Sequence, residues 1–246
     1  MRRQLGSTGA RGFVVGLSGG LDSAVVARLA QLAAPGHVVA ALLPAHSDPQ
    51  DERDAEMIAA QFSMTTVRVD LEQAYDRTLA AAQAALHALP EQMRGPKPAD
   101  PIRVRLPLAN VKPRLRMTML YFLANSLDYL VAGTSNRSEL AIGNFTKHGD
   151  GGSDLLPIGH LMKSEVRALA RELSLPSAII ERTPSAGLWI GQTDEEEMGF
   201  SYAELQRYLE DGPQGVSPAL AMKIERLIRS SEHKRALPPM PETSSF

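Results

Sequence analysis

The chain reads FVVGLSGGLDSAVVAR from residue 13 to residue 28. Residues 13–17 form an apolar run typical of a buried strand, residues 18–20 are a small polar turn, and apolar residues recur at helical spacing from Asp22 onward. This pattern predicts a strand, a tight loop and a helix in direct succession. The two adjacent glycines let the backbone approach a ligand closely, and the hydroxyls of Ser18 and Ser23 favour phosphate at the start of the helix.

Asp22 lies inside this phosphate-binding pattern. A carboxylate repels a bare phosphate, so its position indicates a divalent cation that bridges the carboxylate to a nucleotide. The loop lacks both the lysine of the GxxxxGK[ST] loop and the glycine spacing of GxGxxG. From these residues alone, an ordinary glycine-rich turn with Asp22 or Ser23 as the helix cap remains the alternative.

The composition limits the classes of function. The chain has 246 residues, 43% of them hydrophobic, which is enough for one α/β domain over residues 1–246. Its 26 basic and 28 acidic side chains give a net charge of −2, which argues against nucleic acid as a partner. The sequence has no cysteine, which excludes disulfides, thiolate metal sites and a cysteine glutaminase. No stretch is apolar enough to span a membrane, so we expect a cytoplasmic protein with no membrane partner.

Strands and helices alternate along the first part of the chain. The predicted strands cover residues 13–17, 37–43, 66–70 and 129–132, and the predicted helices include residues 51–62 and 71–89. This alternation predicts a doubly wound parallel sheet flanked by helices, with ligands beyond the carboxyl ends of the strands. Residues 90–107 hold five prolines and a glycine and predict a loop, after which a helix resumes near Arg114.

Polar segments follow the fourth predicted strand. GTSNRSE, residues 133–139, places Glu139 on a helix at the same sheet edge as Asp22. FTKHGDGGSDLLP, residues 145–157, has the composition of a loop that folds over a ligand. Lys163 lies in the first turn of a predicted helix over residues 161–173, where the helix dipole disfavours a cation, so a phosphate partner is indicated.

The remaining sequence predicts three helix N-termini. Ser201 with Glu204 forms a capping box, and Ser217 precedes a proline at the first helical position. Residues 194–197 are interpreted as an acidic helix start capped by Thr193. We expect residues 238–246 to be a disordered or extended tail.

The sequence contains seven motifs in this order: SGGLDS (18–23), NVKPRLRM (110–117), GTSNRSE (133–139), FTKHGDGGSDLLP (145–157), PSAGLW (184–189), GQTDEEEMGFSY (191–202) and EHKR (232–235). In order and spacing they resemble those of the ammonia-dependent NAD synthetases, which belong to the N-type ATP pyrophosphatase (PP-loop) superfamily. The resemblance implies an adenine nucleotide α-hydrolase-like, Rossmann-like fold. It also implies ATP- and Mg²⁺-dependent amidation of deamido-NAD to NAD by ammonia, through an acyl-adenylate, with release of AMP and pyrophosphate.

The resemblance further implies roles for individual residues. The positions that correspond to the ATP site are Gly16, Leu17, Ser18, Gly19, Gly20, Leu21, Asp22, Ser23, Thr134, Lys163 and Ser185. Those that correspond to the deamido-NAD site are Arg114, Lys147, Asp154, His233 and Lys234. Asp22 and Glu139 would hold Mg²⁺, and Asp22 and Lys163 would be catalytic.

A homodimer with deamido-NAD sites at its interface is also implied. Family members usually carry a helix ahead of the first strand, which this sequence does not predict. Whether ammonia is free or comes from a separate glutaminase stays open. Two other functions remain as alternatives: a GMP synthetase-like amidating domain, and a catalytically silent adenylate-binding protein.

Overall fold

The computed structural model describes residues 1–94, 101–185, 187, 189, 191 and 193–241, with residues 101–103 described by their backbone alone. Its strands are β1 (Gly12–Gly16), β2 (Val38–Leu42), β3 (Thr66–Arg68) and β4 (Tyr129–Val131). They form a parallel sheet in the order β3-β2-β1-β4, with Val14 of β1 paired to Val39 on one side and to Val131 on the other. The predicted doubly wound parallel sheet is confirmed.

The helices lie on both faces of this sheet. They are α1 (Arg2–Thr8), α2 (Leu21–Ala33), α3 (Pro49–Gln61), α4 (Glu72–His87), α5 (Pro101–Ala109), α6 (Val111–Leu127), α7 (Arg137–Ile142), α8 (Lys163–Glu172), α9 (Ser177–Ile180), α10 (Asp194–Met198), α11 (Tyr202–Asp211) and α12 (Pro218–Ser230). Short 3-10 turns occur at Glu91–Met93, Pro213–Gly215 and Glu232–Lys234.

The apolar run of β1 is buried on both sides. Phe13 and Val15 pack with α2, α3 and α8, whereas Val14 packs with α6 on the opposite face. Successive side chains of a strand point to opposite faces, so a strand covered by helices on both sides needs an unbroken apolar run. This explains why residues 13–15 contain no polar side chain.

The chain order creates a crevice at the carboxyl edge of the sheet. From β1 the chain moves outward to β2 and β3, and it then returns past β1 to add β4 on the other side. The segments that follow β1 and β4 therefore leave the sheet in different directions, which is where open α/β sheets bind ligands. The segment 17–23 follows β1, and the segment 132–139 follows β4.

A separate apolar cluster joins the C-terminal helices to α7. Its buried members are Ile142, Met198, Phe200, Tyr202, Leu205 and Ile224. The predicted capping box of Ser201 and Glu204 begins α11, and Ser217 caps α12 ahead of Pro218, so both predictions are confirmed. This cluster anchors α10 and α11 beside the crevice.

Three sequence predictions are wrong. Residues 90–107 are not simply a loop, because a 3-10 turn occupies Glu91–Met93 and α5 occupies Pro101–Ala109. Pro101 lies at the first helical position, where the missing N–H costs nothing, whereas Pro107 lies inside α5 and lacks a backbone donor there. The next helix, α6, already begins at Val111. A short helix, α1, also precedes β1, although the sequence analysis predicted no helix ahead of the first strand.

Within α4, all of which the structure describes, no residue is buried, although the apolar residues of the predicted helix 71–89 recur at a spacing that predicts a shared face. The predicted tail falls partly on residues 242–246, which lie outside the described residues. Among the helices that the structure describes, none combines the length and apolar character needed to cross a bilayer.

Candidate active site

The loop after β1 is shaped by its serines and glycines. Ser23 Oγ donates to the Gly20 carbonyl (2.9 Å), accepts the Ser18 N–H (3.2 Å) and lies 3.0 Å from Ser18 Oγ. The N-cap of α2 is Gly20, without a side-chain cap. Neither Asp22 nor Ser23 therefore caps the helix, and the first-turn N–H groups remain directed at the crevice.

Gly19 holds the loop against the first turn of α3. Its φ is +78°, and a Cβ at this position would lie 2.3 Å from the backbone oxygen of Asp51. Both the left-handed backbone and the close approach require glycine. The SGG sequence is thus explained by packing as well as by ligand access.

A lysine and two carboxylates meet where the two polar segments converge. Lys163 Nζ donates to Asp22 Oδ2 and lies 3.4 Å from Glu139 Oε1. The side chain of Lys163 is 5% exposed, and those of Asp22 and Glu139 are 18% and 15% exposed. These residues lie in the first turns of α8, α2 and α7 respectively. The sheet topology brings Asp22 and Glu139 to one edge, and Lys163 reaches them from the start of α8.

Burial makes this cluster electrostatically unusual. It raises the pKa of Glu139 to about 8, with a further contribution from the Asp22 carboxylate and an opposing one from Lys163. Burial by itself lowers the pKa of Lys163, but the two carboxylates outweigh it and raise that pKa above its ordinary value. The site therefore holds its lysine as a cation and disfavours a second negative charge on Glu139. An additional bound cation would favour the ionised form of Glu139.

Asp22 and Glu139 are suited to bind Mg²⁺ only if a bound nucleotide supplies some of the metal's other ligands. Among the described residues, no group of three or more His, Cys, Asp or Glu side chains is arranged to hold a metal ion alone. Asp22 and Glu139 provide hard oxygen donors, and Mg²⁺ commonly completes its octahedron with water and substrate phosphates. The residues present thus fit a nucleotide-bound Mg²⁺ rather than a closed protein cage.

Glu139 has a structural role in addition. Its Oε2 accepts the backbone N–H of Asn136 (3.2 Å), and Asn136 Oδ1 accepts the Glu139 N–H (3.1 Å), which is a reciprocal capping box. Asn136 Nδ2 also donates to Asp22 Oδ1 (3.2 Å). The capping box leaves Glu139 Oε1 directed at Lys163, so it orients the carboxylate for the site.

Tyr202 and Asp194 complete the cluster, and the sequence analysis did not identify either as a site residue. The Tyr202 hydroxyl is 2.7 Å from Asp194 Oδ2 and 3.5 Å from Glu139 Oε1, and Lys163 Nζ lies 5.2 Å from the centre of the Tyr202 ring. Both residues are buried. Thr193 does cap α10, but the interpretation of residues 194–197 as only a helix start is incomplete for Asp194.

A cavity of about 910 Å³ opens at this edge of the sheet. Most of the predicted site residues line it, namely Gly16, Leu17, Ser18, Gly20, Leu21, Asp22, Ser23, Arg114, Thr134, Glu139, Lys147, Lys163, Ser185, His233 and Lys234. Gly19 packs against Asp51 instead. Asp154 also lies outside the lining: its carboxylate accepts the Val131 N–H (2.8 Å) and the Tyr121 hydroxyl (3.1 Å).

The wall formed by residues 143–150 is tied to the C-terminal 3-10 turn. Lys234 Nζ donates to the carbonyls of Gly143 (2.7 Å) and Phe145 (2.8 Å). Lys147 Nζ donates to the His233 carbonyl (2.5 Å), and Arg114 donates to the Lys147 carbonyl (3.3 Å). The predicted substrate cations are therefore assembled in one place, and part of their donor capacity holds the wall itself.

An ion-pair clip holds the opposite wall, and no sequence motif indicated it. Arg182 Nη1 donates to Asp54 Oδ2 (2.8 Å), and its Nη2 pairs with Asp51. The Asp194 N–H donates to the Pro184 carbonyl (3.0 Å) at the other end of this wall. Ser185 lies between these anchors. Residues 186 and 188 of PSAGLW and residue 192 of GQTDEEEMGFSY lie outside the described residues, as does residue 190 between the two motifs.

Residues 1–238 match the model of the NAD synthase family. The chain belongs to this family. A relative named NH(3)-dependent NAD(+) synthetase, from Carboxydothermus hydrogenoformans, is 48% identical over 241 residues, covering 98% of this chain and 93% of the relative. The ligase assignment made from the seven motifs is confirmed, and it is favoured over a GMP synthetase-like or a silent protein.

Solved structures of NAD synthase relatives share the fold. The NMN synthetase of Francisella tularensis superposes with a TM-score of 0.86 at 35% identity, covering 98% of this chain and 93% of that one. The NH3-dependent NAD synthetase of Campylobacter jejuni superposes with a TM-score of 0.75 at 27% identity, covering 98% and 94%. The likeness in both cases extends over almost the whole of each chain.

Proposed function

We propose that this chain uses ATP and ammonia to amidate the nicotinate carboxylate of deamido-NAD, forming NAD, AMP and pyrophosphate. The observation that carries the proposal is the buried Lys163, held by Asp22 and Glu139 at the carboxyl edge of the sheet beside a serine- and glycine-rich loop. A phosphate-binding loop, a fixed cation and two hard oxygen donors in one crevice suit nucleotide activation.

ATP would occupy the part of the cavity between the two polar segments. Its phosphates would meet the N–H groups of the first turn of α2, with Thr134 and Ser185 lining the same space. Mg²⁺ held by Asp22 and Glu139 would supply charge neutralisation at the phosphates. Lys163 would add a positive charge that stays fixed while negative charge develops on the departing pyrophosphate.

Deamido-NAD would lie against the wall that carries Arg114, Lys147, His233 and Lys234. Arg114 and His233 are exposed there, whereas Lys147 and Lys234 are half-buried and donate to backbone carbonyls of the wall. These basic side chains would bind the pyrophosphate and carboxylate groups of the substrate. The carboxylate oxygen would attack the α-phosphorus of ATP and expel pyrophosphate, and ammonia would then attack the acyl carbon and expel AMP. Neither step needs a protein nucleophile, so catalysis would rest on positioning and on exclusion of water by residues 145–157.

A second candidate substrate is nicotinate mononucleotide. The likeness to the Francisella tularensis NMN synthetase favours it, because that enzyme's name states a mononucleotide product. The reacting carboxylate would be the same in both substrates, and only the adenylyl half of the dinucleotide would be missing. The proposed reaction centre would therefore serve either substrate, and the distinction would depend on the outer part of the cavity.

The purified protein would be given ATP, Mg²⁺ and ammonium with deamido-NAD, nicotinate mononucleotide or XMP, and the products separated by chromatography. We expect equal amounts of NAD and AMP from deamido-NAD, and a lower kcat/KM with the mononucleotide. A higher kcat/KM with the mononucleotide would replace the first proposal with the second. AMP formation from XMP alone would contradict both. Substituting glutamine for ammonium tests whether free ammonia is the nitrogen source.

We also propose a homodimer in the cytoplasm. Helices α4 and α6 are in contact, and Leu86 on α4 and Phe122 on α6 are 59% and 63% exposed, which is an apolar surface that a second copy would cover. Asp154 bonds to Tyr121, next to Phe122, so a dimer formed there would bring Asp154 near the partner. Sedimentation should give a dimer that Phe122→Glu dissociates and that Met222→Glu, at a 69% exposed position on α12, does not. A monomeric wild type would contradict the proposal.

A further inference from the structure

Tyr202 contacts the proposed metal and phosphate cluster from outside the segments that follow β1 and β4. Its hydroxyl lies 2.7 Å from Asp194 Oδ2 and 3.5 Å from Glu139 Oε1. Its ring lies under the ammonium group of Lys163, with Nζ 5.2 Å from the ring centre. The buried Tyr202 side chain therefore contacts both Glu139 and Lys163. It is also hydrogen-bonded to Asp194, which belongs to a different segment.

The geometry constrains where Glu139 can move. The capping box with Asn136 holds Glu139 Oε2 in place. The position of the other carboxylate oxygen, Oε1, therefore depends mainly on the groups that face it. Lys163 and Tyr202 are the groups that face Oε1 in the described structure. Removal of the phenol oxygen would leave one side of Oε1 facing a ring edge, which neither holds nor directs an oxygen donor.

Asp194 connects this arrangement to the ATP-side wall. Its backbone N–H bonds to the Pro184 carbonyl (3.0 Å), next to Ser185, and its side chain accepts the Tyr202 hydroxyl. The backbone N–H of Tyr202 in turn bonds to Glu195 Oε1 (3.0 Å). Tyr202 is thus joined to α10 by two bonds and to the cluster by two contacts.

We propose that Tyr202, anchored by Asp194, is a positioning residue that presents Glu139 to a nucleotide-bound divalent cation and couples that cation to the wall carrying Ser185. This inference rests on the proposed function, since it assumes the Mg²⁺ role of Asp22 and Glu139. It adds two residues that do not themselves ligate the metal. Outer-shell partners of this kind commonly set metal affinity without contacting the metal.

The test measures metal binding separately from turnover. Mn²⁺ replaces Mg²⁺ and is titrated by electron paramagnetic resonance in the presence of α,β-methylene-ATP, whose α–β bridge is not cleaved. The variants are Tyr202→Phe, which keeps the ring, and Asp194→Ala, which keeps the phenol but removes its anchor. Tyr208→Phe is the matched control, because Tyr208 lies on the same helix and bonds to Glu225 away from the cluster.

We expect both site variants to raise the Mn²⁺ half-saturation about tenfold, with the control within about twofold of the wild type. The Mg²⁺ concentration for half-maximal turnover should rise in parallel, while the KM for deamido-NAD changes less than about twofold. If the two residues had a purely structural role, the variants would have a lower unfolding midpoint but an unchanged Mn²⁺ half-saturation.

An unchanged Mn²⁺ half-saturation in Tyr202→Phe would overturn the inference. This would hold even if Asp194→Ala raised the half-saturation, since the Asp194 carboxylate would then act without the phenol of Tyr202. Unchanged half-saturation in Asp194→Ala alone would overturn the anchoring role in the same way. If the wild type itself takes up no Mn²⁺, the metal role in the proposed function fails and the inference falls with it. Wild-type uptake with unshifted variants defeats only the inference.

Discussion

The ammonium group of Lys163, at the start of α8, donates a hydrogen bond to the carboxylate of Asp22, in the first turn of α2. The two residues are 141 positions apart in the sequence and are joined only by the fold. A cation in the first turn of a helix opposes the helix dipole, and the Asp22 carboxylate offsets this cost. The pair also keeps Lys163 charged in a place where it is only 5% exposed.

Replacement of Lys163 by methionine should abolish most activity. The variant leaves Asp22 and Glu139 facing each other without the cation, and it removes the fixed positive charge near the departing pyrophosphate. We expect the rate of ATP–pyrophosphate exchange to fall by at least about 100-fold. Lys223→Met is the matched control, since Lys223 also lies over an aromatic ring, that of Phe200, but away from the cavity. Exchange within about threefold of the wild type in Lys163→Met would rule out its catalytic role.

The raised pKa of Glu139 predicts a pH-dependent stability in the absence of metal. The ordinary value is 4.5 and the folded value is about 8, so between these limits the folded chain holds a proton that the unfolded chain has lost. The free energy of unfolding should therefore be highest below the lower limit and should fall as pH rises toward the upper one. Glu139→Gln should remove this contribution.

Urea unfolding in EDTA across this pH window measures the effect. An identical pH slope in wild type and Glu139→Gln would show that another group is responsible. Because a metal ligand must be ionised, the stabilisation conferred by Mg²⁺ with ATP should strengthen as pH rises through about 8 in the wild type.

Gly19→Ala should weaken ATP binding in addition to lowering the free energy of unfolding through backbone strain. Gly19 and Gly36 have nearly the same φ, +78° and +77°, but an added Cβ meets the Asp51 carbonyl oxygen at 2.3 Å only at position 19. At Gly36 nothing lies within 4 Å. Both variants should lose about 1–2 kcal/mol of unfolding free energy from the left-handed backbone. Only Gly19→Ala should raise the Kd for ATP, measured by calorimetry, and equal Kd values in the two variants would refute the packing account.

Lys234→Met should weaken the substrate wall. The change frees the carbonyls of Gly143 and Phe145, each of which now accepts a bond from Lys234 Nζ. We expect a KM for deamido-NAD about tenfold higher and a loss of about 1–3 kcal/mol of unfolding free energy. The ATP–pyrophosphate exchange rate at saturating substrate should change much less than in Lys163→Met. A lower stability with an unchanged KM would mean that Lys234 only braces the wall.

The sequence allowed the sheet and most of the site to be predicted because both depend on local patterns. Strand β1 is an unbroken apolar run, and the loop after it contains Gly19 and Ser23, whose roles are visible in the residue types. Parallel strands place the segments that follow them at one edge, so Asp22 and Glu139 could be placed together before the structure was known.

What the sequence did not reveal depends on contacts between distant segments. Tyr202 looks like an ordinary aromatic residue in a helical pattern, and Asp194 like one acid among four at a helix start. Their pairing follows from how α10 and α11 pack on α7. The clip between Arg182 and Asp51 likewise joins residues 131 positions apart. Helix α5 was missed because prolines are read as helix breakers, although Pro101 occupies the first helical position and Pro107 lies inside the helix.

The most direct measurement of the central claim follows an oxygen atom. Deamido-NAD labelled with ¹⁸O in its nicotinate carboxylate is converted in the presence of ATP, Mg²⁺ and ammonium, and the AMP is analysed by mass spectrometry. Attack of the carboxylate on the α-phosphorus predicts AMP that carries one carboxylate oxygen for each NAD formed. Unlabelled AMP would contradict an acyl-adenylate route in this crevice, because the phosphorus would then have been attacked by another oxygen.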